Sequence, residues 1–60
     1  MIIRINKAEK CIILDSGGRE EVFWFDELRY CDDEIDVYRR EECFMVIPYS
    51  YGVKIYEDAE

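Results

Sequence analysis

Sixty residues with fifteen Asp and Glu against eight Lys and Arg, a net charge of −7, make room for one small domain and oppose direct contact with nucleic acid or anionic membranes. The absence of histidine removes the imidazole base that serine and cysteine nucleophiles usually need. A chain this short buries only about 60% of the surface its unfolded form exposes, yet half of its residues are hydrophobic, which favours self-association or docking onto another protein.

Met1-Ile2-Ile3-Arg4-Ile5 reads as a first strand, with Ile3 and Ile5 on one face and Arg4 on the other. It is too short and too soon broken by charge for a signal peptide, and no stretch approaches a membrane span. Asn6-Lys7-Ala8-Glu9 has the length of a hairpin connection. The stretch expected to organise the chain is Lys10 to Phe25. There Asp15-Ser16-Gly17-Gly18-Arg19 separates Cys11-Ile12-Ile13-Leu14 from Val22-Phe23-Trp24-Phe25, a hairpin signature that completes a meander. Both flanks are apolar on both faces. Such strands are either covered twice or present their outer face as a contact surface.

Asp26 to Glu34 admits two readings. Asp26 can cap a helix, and Leu28, Cys31, Ile35 and Tyr38 fall on one helical face. Arg29 with Asp33, and Asp36 with Arg40, would then be favourable i,i+4 pairs. Against a helix stand the like charges of Asp32-Asp33-Glu34 and the strand-type residues Ile35-Asp36-Val37-Tyr38. The balance predicts a helical turn near Asp26–Cys31, or a short helix within 26–34, and a strand over Ile35–Arg39. A single helix over 26–40, making the chain α+β, is the alternative. Arg39-Arg40-Glu41-Glu42 suits a tight connection, and Cys43-Phe44-Met45-Val46-Ile47, apolar on both faces, reads as a central strand. Pro48-Tyr49-Ser50-Tyr51-Gly52 reads as a turn, Val53–Tyr56 as a last, half-exposed strand, and Glu57–Glu60 as a frayed acidic tail.

Asp32-Asp33-Glu34-Ile35 through Met45-Val46-Ile47 resembles the acidic loop, strand, polar turn and strand of an SH3 domain. Ile47-Pro48-Tyr49-Ser50-Tyr51 resembles that family's late Ile-Pro and aromatic turn. The likeness covers about a quarter of the chain and implies a barrel of SH3 size. SH3 domains insert another strand between the two pieces and carry an early aromatic motif missing here, so no binding residues are carried over. The expected fold is mainly β: a small antiparallel meander, a curled sheet or an SH3-sized barrel of about five or six short strands.

Asp15-Ser16-Gly17-Gly18 resembles the loop around a trypsin-like protease's serine, but without a base Ser16 reads as part of a hairpin loop. Cys11, Cys31 and Cys43 form no C-x-x-C pair and read as buried, inert, reduced thiols. Asp32, Asp33, Glu34 and Asp36 lack the spacing and central glycine of an EF-hand. No metal, cofactor or enzymatic activity is expected. The aromatic residues could stack bases, but Arg4, Arg19, Arg29, Arg39, Arg40 and Lys54 are scattered and outnumbered, which opposes that role.

Two functions remain. The first is a cytoplasmic protein-binding inhibitor or adaptor, like phage-encoded DNA mimics in size and charge, whose acidic face meets a basic protein surface. It would use Asp26, Glu27, Asp32, Asp33, Glu34 and Asp36, six carboxylates within eleven residues, with Trp24 beside them. The second is a structural homo-oligomer, assembled through β-edges and the outer faces of Val22–Phe25 and Cys43–Ile47.

Overall fold

The first three strands form as their residues dictate. In this computed structural model, which describes residues 1–50 and 52–58, β1 (Ile2–Asn6) lies antiparallel to β2 (Cys11–Ser16), and β2 to β3 (Arg19–Trp24). Asn6 Oδ1 accepts the Glu9 amide at 2.9 Å and shapes the first turn. Gly17 and Gly18, at φ +60° and +85°, supply the two left-handed residues that a two-residue type I′ hairpin demands. The register sets Ile3 beside Leu14 and Ile5 beside Ile12, so one face of this meander is continuously apolar.

A second sheet follows. Its strands β4 (Glu27–Tyr30), β5 (Glu34–Arg39) and β6 (Glu42–Pro48) are antiparallel neighbours in that order. Leu28 lies beside Val37, Tyr30 and Ile47 beside Ile35, and Met45 beside Val37. The alternation of Ile35 and Val37 with Asp36 and Tyr38 turns the apolar pair inward. Arg40 and Glu41, both at positive φ, make the β5–β6 turn, a conformation that costs non-glycine residues about 1–3 kcal/mol each. The Asp26 carboxylate accepts the Arg40 amide at 2.7 Å and helps hold that turn.

The last strand, β7 (Lys54–Glu57), does not pair with β6. It crosses back to the first sheet and lies parallel to β1, giving the order β3-β2-β1-β7. The Lys54 amide donates to Met1 O at 3.0 Å and the Asp58 amide to Ile5 O at 3.0 Å, closing both ends of this seam. The two sheets bury Ile3, Ile5, Ile12, Phe25, Ile35, Val37 and Ile47 between them, with Leu14, Leu28, Met45, Val53 and Ile55 around that cluster. At one end Lys7, from the β1–β2 turn, ion-pairs with Glu57 at 3.2 Å and sits 5.2 Å over the Tyr30 ring, so both sheets are tied there.

Several expectations need correction. Neither a helical turn within 26–34 nor a helix over 26–40 forms. Residues 27–30 are a strand, and no helix occurs among the described residues. Leu28 and Tyr30 alternate with Glu27 and Arg29, a period of two that spans only four residues. That signal is shorter than the helical spacing running from Leu28 to Tyr38, and pairing with β5 decides between them. The Arg29–Asp33 and Asp36–Arg40 helix pairs therefore give way to Arg29 beside Asp36 across two strands. Among the described residues, seven strands in two sheets replace the five or six expected in one meander, curled sheet or SH3-sized barrel. β6, expected at the centre of a sheet, stands at an edge because the strand after it pairs elsewhere. Glu57 belongs to β7 and Asp58 is hydrogen-bonded, so neither is frayed. Gly52, in the expected turn, takes the left-handed conformation at φ +91°. Tyr51 of the expected turn and Ala59 and Glu60 of the expected tail lie outside the described residues. No helix here is long and apolar enough to cross a membrane.

This packing sets the cost of changing it. Ile12 is fully buried, so Ile12→Ala is expected to lower the unfolding free energy by about 2–4 kcal/mol in urea titration. Glu41→Gly should raise it by about 1 kcal/mol, because glycine adopts φ +67° without strain. An unchanged midpoint for either variant would contradict the assigned core or turn.

Candidate protein-binding surface

The residues expected to bind a partner divide among three places. Asp32 and Asp33 occupy the exposed β4–β5 connection, followed directly by Glu34 and Asp36 on β5. Strand alternation puts Glu34 and Asp36 on the outer face of the second sheet, with side chains repeating every roughly 6.6–6.8 Å. These four carboxylates form one acidic end. Glu27 shares that face but lies at the far end of β4, with Arg29 between it and Asp36. Asp26 is exposed at the corner between the sheets and is engaged by the Arg40 amide. Trp24 belongs to the other sheet altogether.

Among the described residues no ion pair joins a cation to the acidic end, although Arg29 lies across from Asp36. The ion pairs among the described residues are Arg4–Asp15, Arg4–Glu20 and Lys7–Glu57, all within the first sheet and its turns. None of the six carboxylates between Asp26 and Asp36 takes part in one. The arginines of the second sheet are turned to other tasks. Arg29 stacks over the Tyr38 ring at 5.0 Å. Arg39 donates from Nε and Nη2 to Trp24 O, at 3.0 and 2.9 Å, and stacks on Phe44 at 4.2 Å.

Within this end Cys31, Glu34 and Asp36 converge, their Sγ and carboxylate oxygens all within 4.8 Å of one another. The Cys31 thiol donates to Asp36 Oδ2 at 3.8 Å. Asp36 Oδ1 is buried and without a hydrogen-bond partner. Glu34 is held above the usual carboxylate range, first by a hydrogen bond shared with Asp36, then by desolvation and by the charges of Asp36 and Asp33. Desolvation, reinforced by the same carboxylates, pushes the Cys31 thiol up. A thiolate with two carboxylates is a donor set that a borderline divalent ion such as Zn²⁺ accepts. A thiol that keeps its proton and a Glu34 carboxyl that gives its own up less readily relieve the same crowding without an ion. The sequence reading missed this trio. Glu34 and Asp36 share a face only on a strand, and 26–34 was expected to be helical. Cys11 is buried as expected, whereas Cys31 is half-buried and Cys43 exposed.

The outer face of the first sheet is of another kind. The register aligns Val22, Ile13, Arg4 and Tyr56 in one row across four strands, with Trp24 two residues beyond Val22 on the same side. Val22, Trp24 and Tyr56 are each at least half exposed. The uncovered outer face expected of Val22–Phe25 is thus present for Val22 and Trp24, whereas Phe25 turns into the core. Arg4 lies among these residues, paired with Asp15 at 3.9 Å and Glu20 at 3.6 Å. A shallow opening of about 700 Å³ is lined by Ile35, Tyr49, Ser50, Val53, Ile55 and Glu57. Its one charged group among the described residues, Glu57, is held by Lys7.

The Glu34–Asp36 contact has a pH signature. A raised carboxyl value means the folded chain holds a proton that the unfolded chain releases. The resulting stability is complete below the unfolded glutamate value and is lost as pH rises through the raised one. Glu34→Gln keeps a donor toward Asp36 without the charge. Its melting temperature is expected to exceed that of the parent at pH 7, the difference closing by about pH 4. A difference that does not change with pH would contradict the raised Glu34 carboxyl. Comparison with protein-family models, with curated proteins and with solved structures returns no match, so function rests on the chemistry of these surfaces.

Proposed function

We propose that this chain is a small acidic protein-binding module, an inhibitor or adaptor whose second sheet presents Asp32, Asp33, Glu34 and Asp36 to a basic surface of another protein. The observation that carries this reading is the acidic end, without an ion pair among the described residues, beside arginines committed to aromatic rings and to the Trp24 carbonyl. Unpaired carboxylates on a strand and its adjoining turn offer successive acceptors to arginine and lysine side chains of the kind that otherwise hold phosphates. Glu27 extends the surface along β4. Asp26 supports it indirectly, through the β5–β6 turn. Trp24 falls outside it, and exclusion of direct nucleic-acid and membrane contact follows from the same charge.

The test is capture of a partner by the immobilised chain, followed by affinity measurement on the purified pair. Binding is expected to weaken steeply between low and high salt, and double-stranded DNA should compete. The double change Asp32→Asn with Asp33→Asn should weaken it about five- to tenfold, at up to about 1 kcal/mol for each exposed charge pair lost. Glu20→Gln with Glu21→Gln, on the first sheet, should leave it within about twofold. Affinity indifferent to salt and to DNA, or equal losses from both double variants, would overturn the proposal.

A further inference from the structure

Apart from any basic partner, a second surface has its own logic. The two sheets expose four strand edges, β3 and β7 on one and β4 and β6 on the other. Natural sheets protect their edges by making them short or charged, or with a proline or a bulge, and β6 has its bulge and its proline only towards its two ends. β4 and β7 have four residues each, and β3 carries Arg19, Glu20 and Glu21. β6 is the longest strand in the chain at seven residues, and after Glu42 it bears no charge. Residues 43–53 form the longest uncharged run in a sequence with twenty-three charged side chains. The β-bulge opposite Val37/Tyr38 disturbs only the start of this edge. From Met45 to Pro48 the strand is regular, paired with β5 on one side and with no strand on the other among the described residues.

Next to the same edge, the mouth between the sheets forms a groove of about 340 Å³, lined by Met1, Leu14, Met45, Val46, Pro48 and Val53. Phe44 and Val46 stand 37% and 48% exposed on β6 itself. A strand with the composition of a sheet centre is thus left at a margin, with no strand along its outer edge among the described residues and an apolar groove beside it.

We infer that β6 pairs with β6 of a second copy, making a homodimer with a continuous six-stranded sheet of order β4-β5-β6-β6-β5-β4. Self-complementarity selects this occupant. A chain of net charge −7 repels its own copy, so a self-contact has to lie where charge is absent, and residues 43–53 are that place. In an antiparallel pairing about Met45, Glu42 lies opposite Pro48 and Phe44 opposite Val46, so no carboxylate meets its like. The groove takes an apolar side chain from the other copy. The outer face of the first sheet fits this role less well, because Arg4, Asp15 and Glu20 are interspersed among its apolar residues. A dimer built on β6 sets the two acidic ends on one continuous sheet.

Sedimentation equilibrium on the full chain tests this. The parent is expected to be dimeric at about 100 µM and to dissociate on dilution, as suits a small interface. Val46→Lys places a charge on an exposed edge position without touching the buried cluster. It should give a monomer with unchanged circular dichroism, while Trp24→Lys should leave the dimer intact. If Val46→Lys fails to fold, amide exchange on the parent decides, with protection in residues 43–47 rising with concentration. A parent that stays monomeric at about 100 µM, dissociation by Trp24→Lys but not Val46→Lys, or exchange at 43–47 independent of concentration would each overturn the inference.

Discussion

The arrangement of this molecule depends on the parallel seam between β1 and β7. Four antiparallel hairpins could have been followed by a fifth, with β7 beside β6. Instead the amides of Lys54 and Asp58 donate to carbonyls of β1, and Ile55 settles beside Ile3 on the apolar face. That choice adds a fourth strand to the first sheet and draws Val53 and Ile55 over the buried cluster. It also leaves β6 with one neighbour. The completed first sheet and the uncovered edge of the second are consequences of one pairing.

The chain thereby separates three properties that lie close together along the sequence. Trp24 ends the first sheet, Asp26 holds the turn between β5 and β6, and the carboxylates from Asp32 to Asp36 gather where β4 leads into β5. Arg39 connects the first two places, since its guanidinium holds the Trp24 carbonyl while stacking on Phe44. Because Arg39 and Arg29 are so employed, neither enters an ion pair with the acidic end. The intramolecular work of a few cations shapes the electrostatics of the surface as much as the number of carboxylates does.

Where local chemistry decides structure, the sequence was legible. Gly17-Gly18 between two β-branched and aromatic runs specifies a hairpin because few other pairs accept two positive φ values, and Ile3 and Ile5 point inward because a strand alternates. Surplus apolar surface was legible as well, and Val22, Trp24, Phe44 and Val46 remain exposed. Residues 26–34 were not, since Leu28, Cys31 and Ile35 satisfy a helical face and a four-residue strand offers too short a pattern to oppose it. The position of β6 was hidden for another reason. Strand order is a property of long-range pairing, and nothing in Val53-Lys54-Ile55-Tyr56 says which neighbour it will take. Of the candidate residues, the grouping of Asp32, Asp33, Glu34 and Asp36 followed from adjacency, while the addition of Cys31 and the distance of Trp24 required the fold.

The β1–β7 seam is the central claim, and it is open to direct observation by NMR in solution. Cross-strand nuclear Overhauser contacts are expected between β1 and β7 in parallel register, joining the Ile3 and Ile55 region. The amides of Lys54 and Asp58 should exchange slowly with solvent. Contacts joining β7 antiparallel to β6, with fast exchange at those two amides, would mean that the chain continues as a plain meander and that β6 has no open edge.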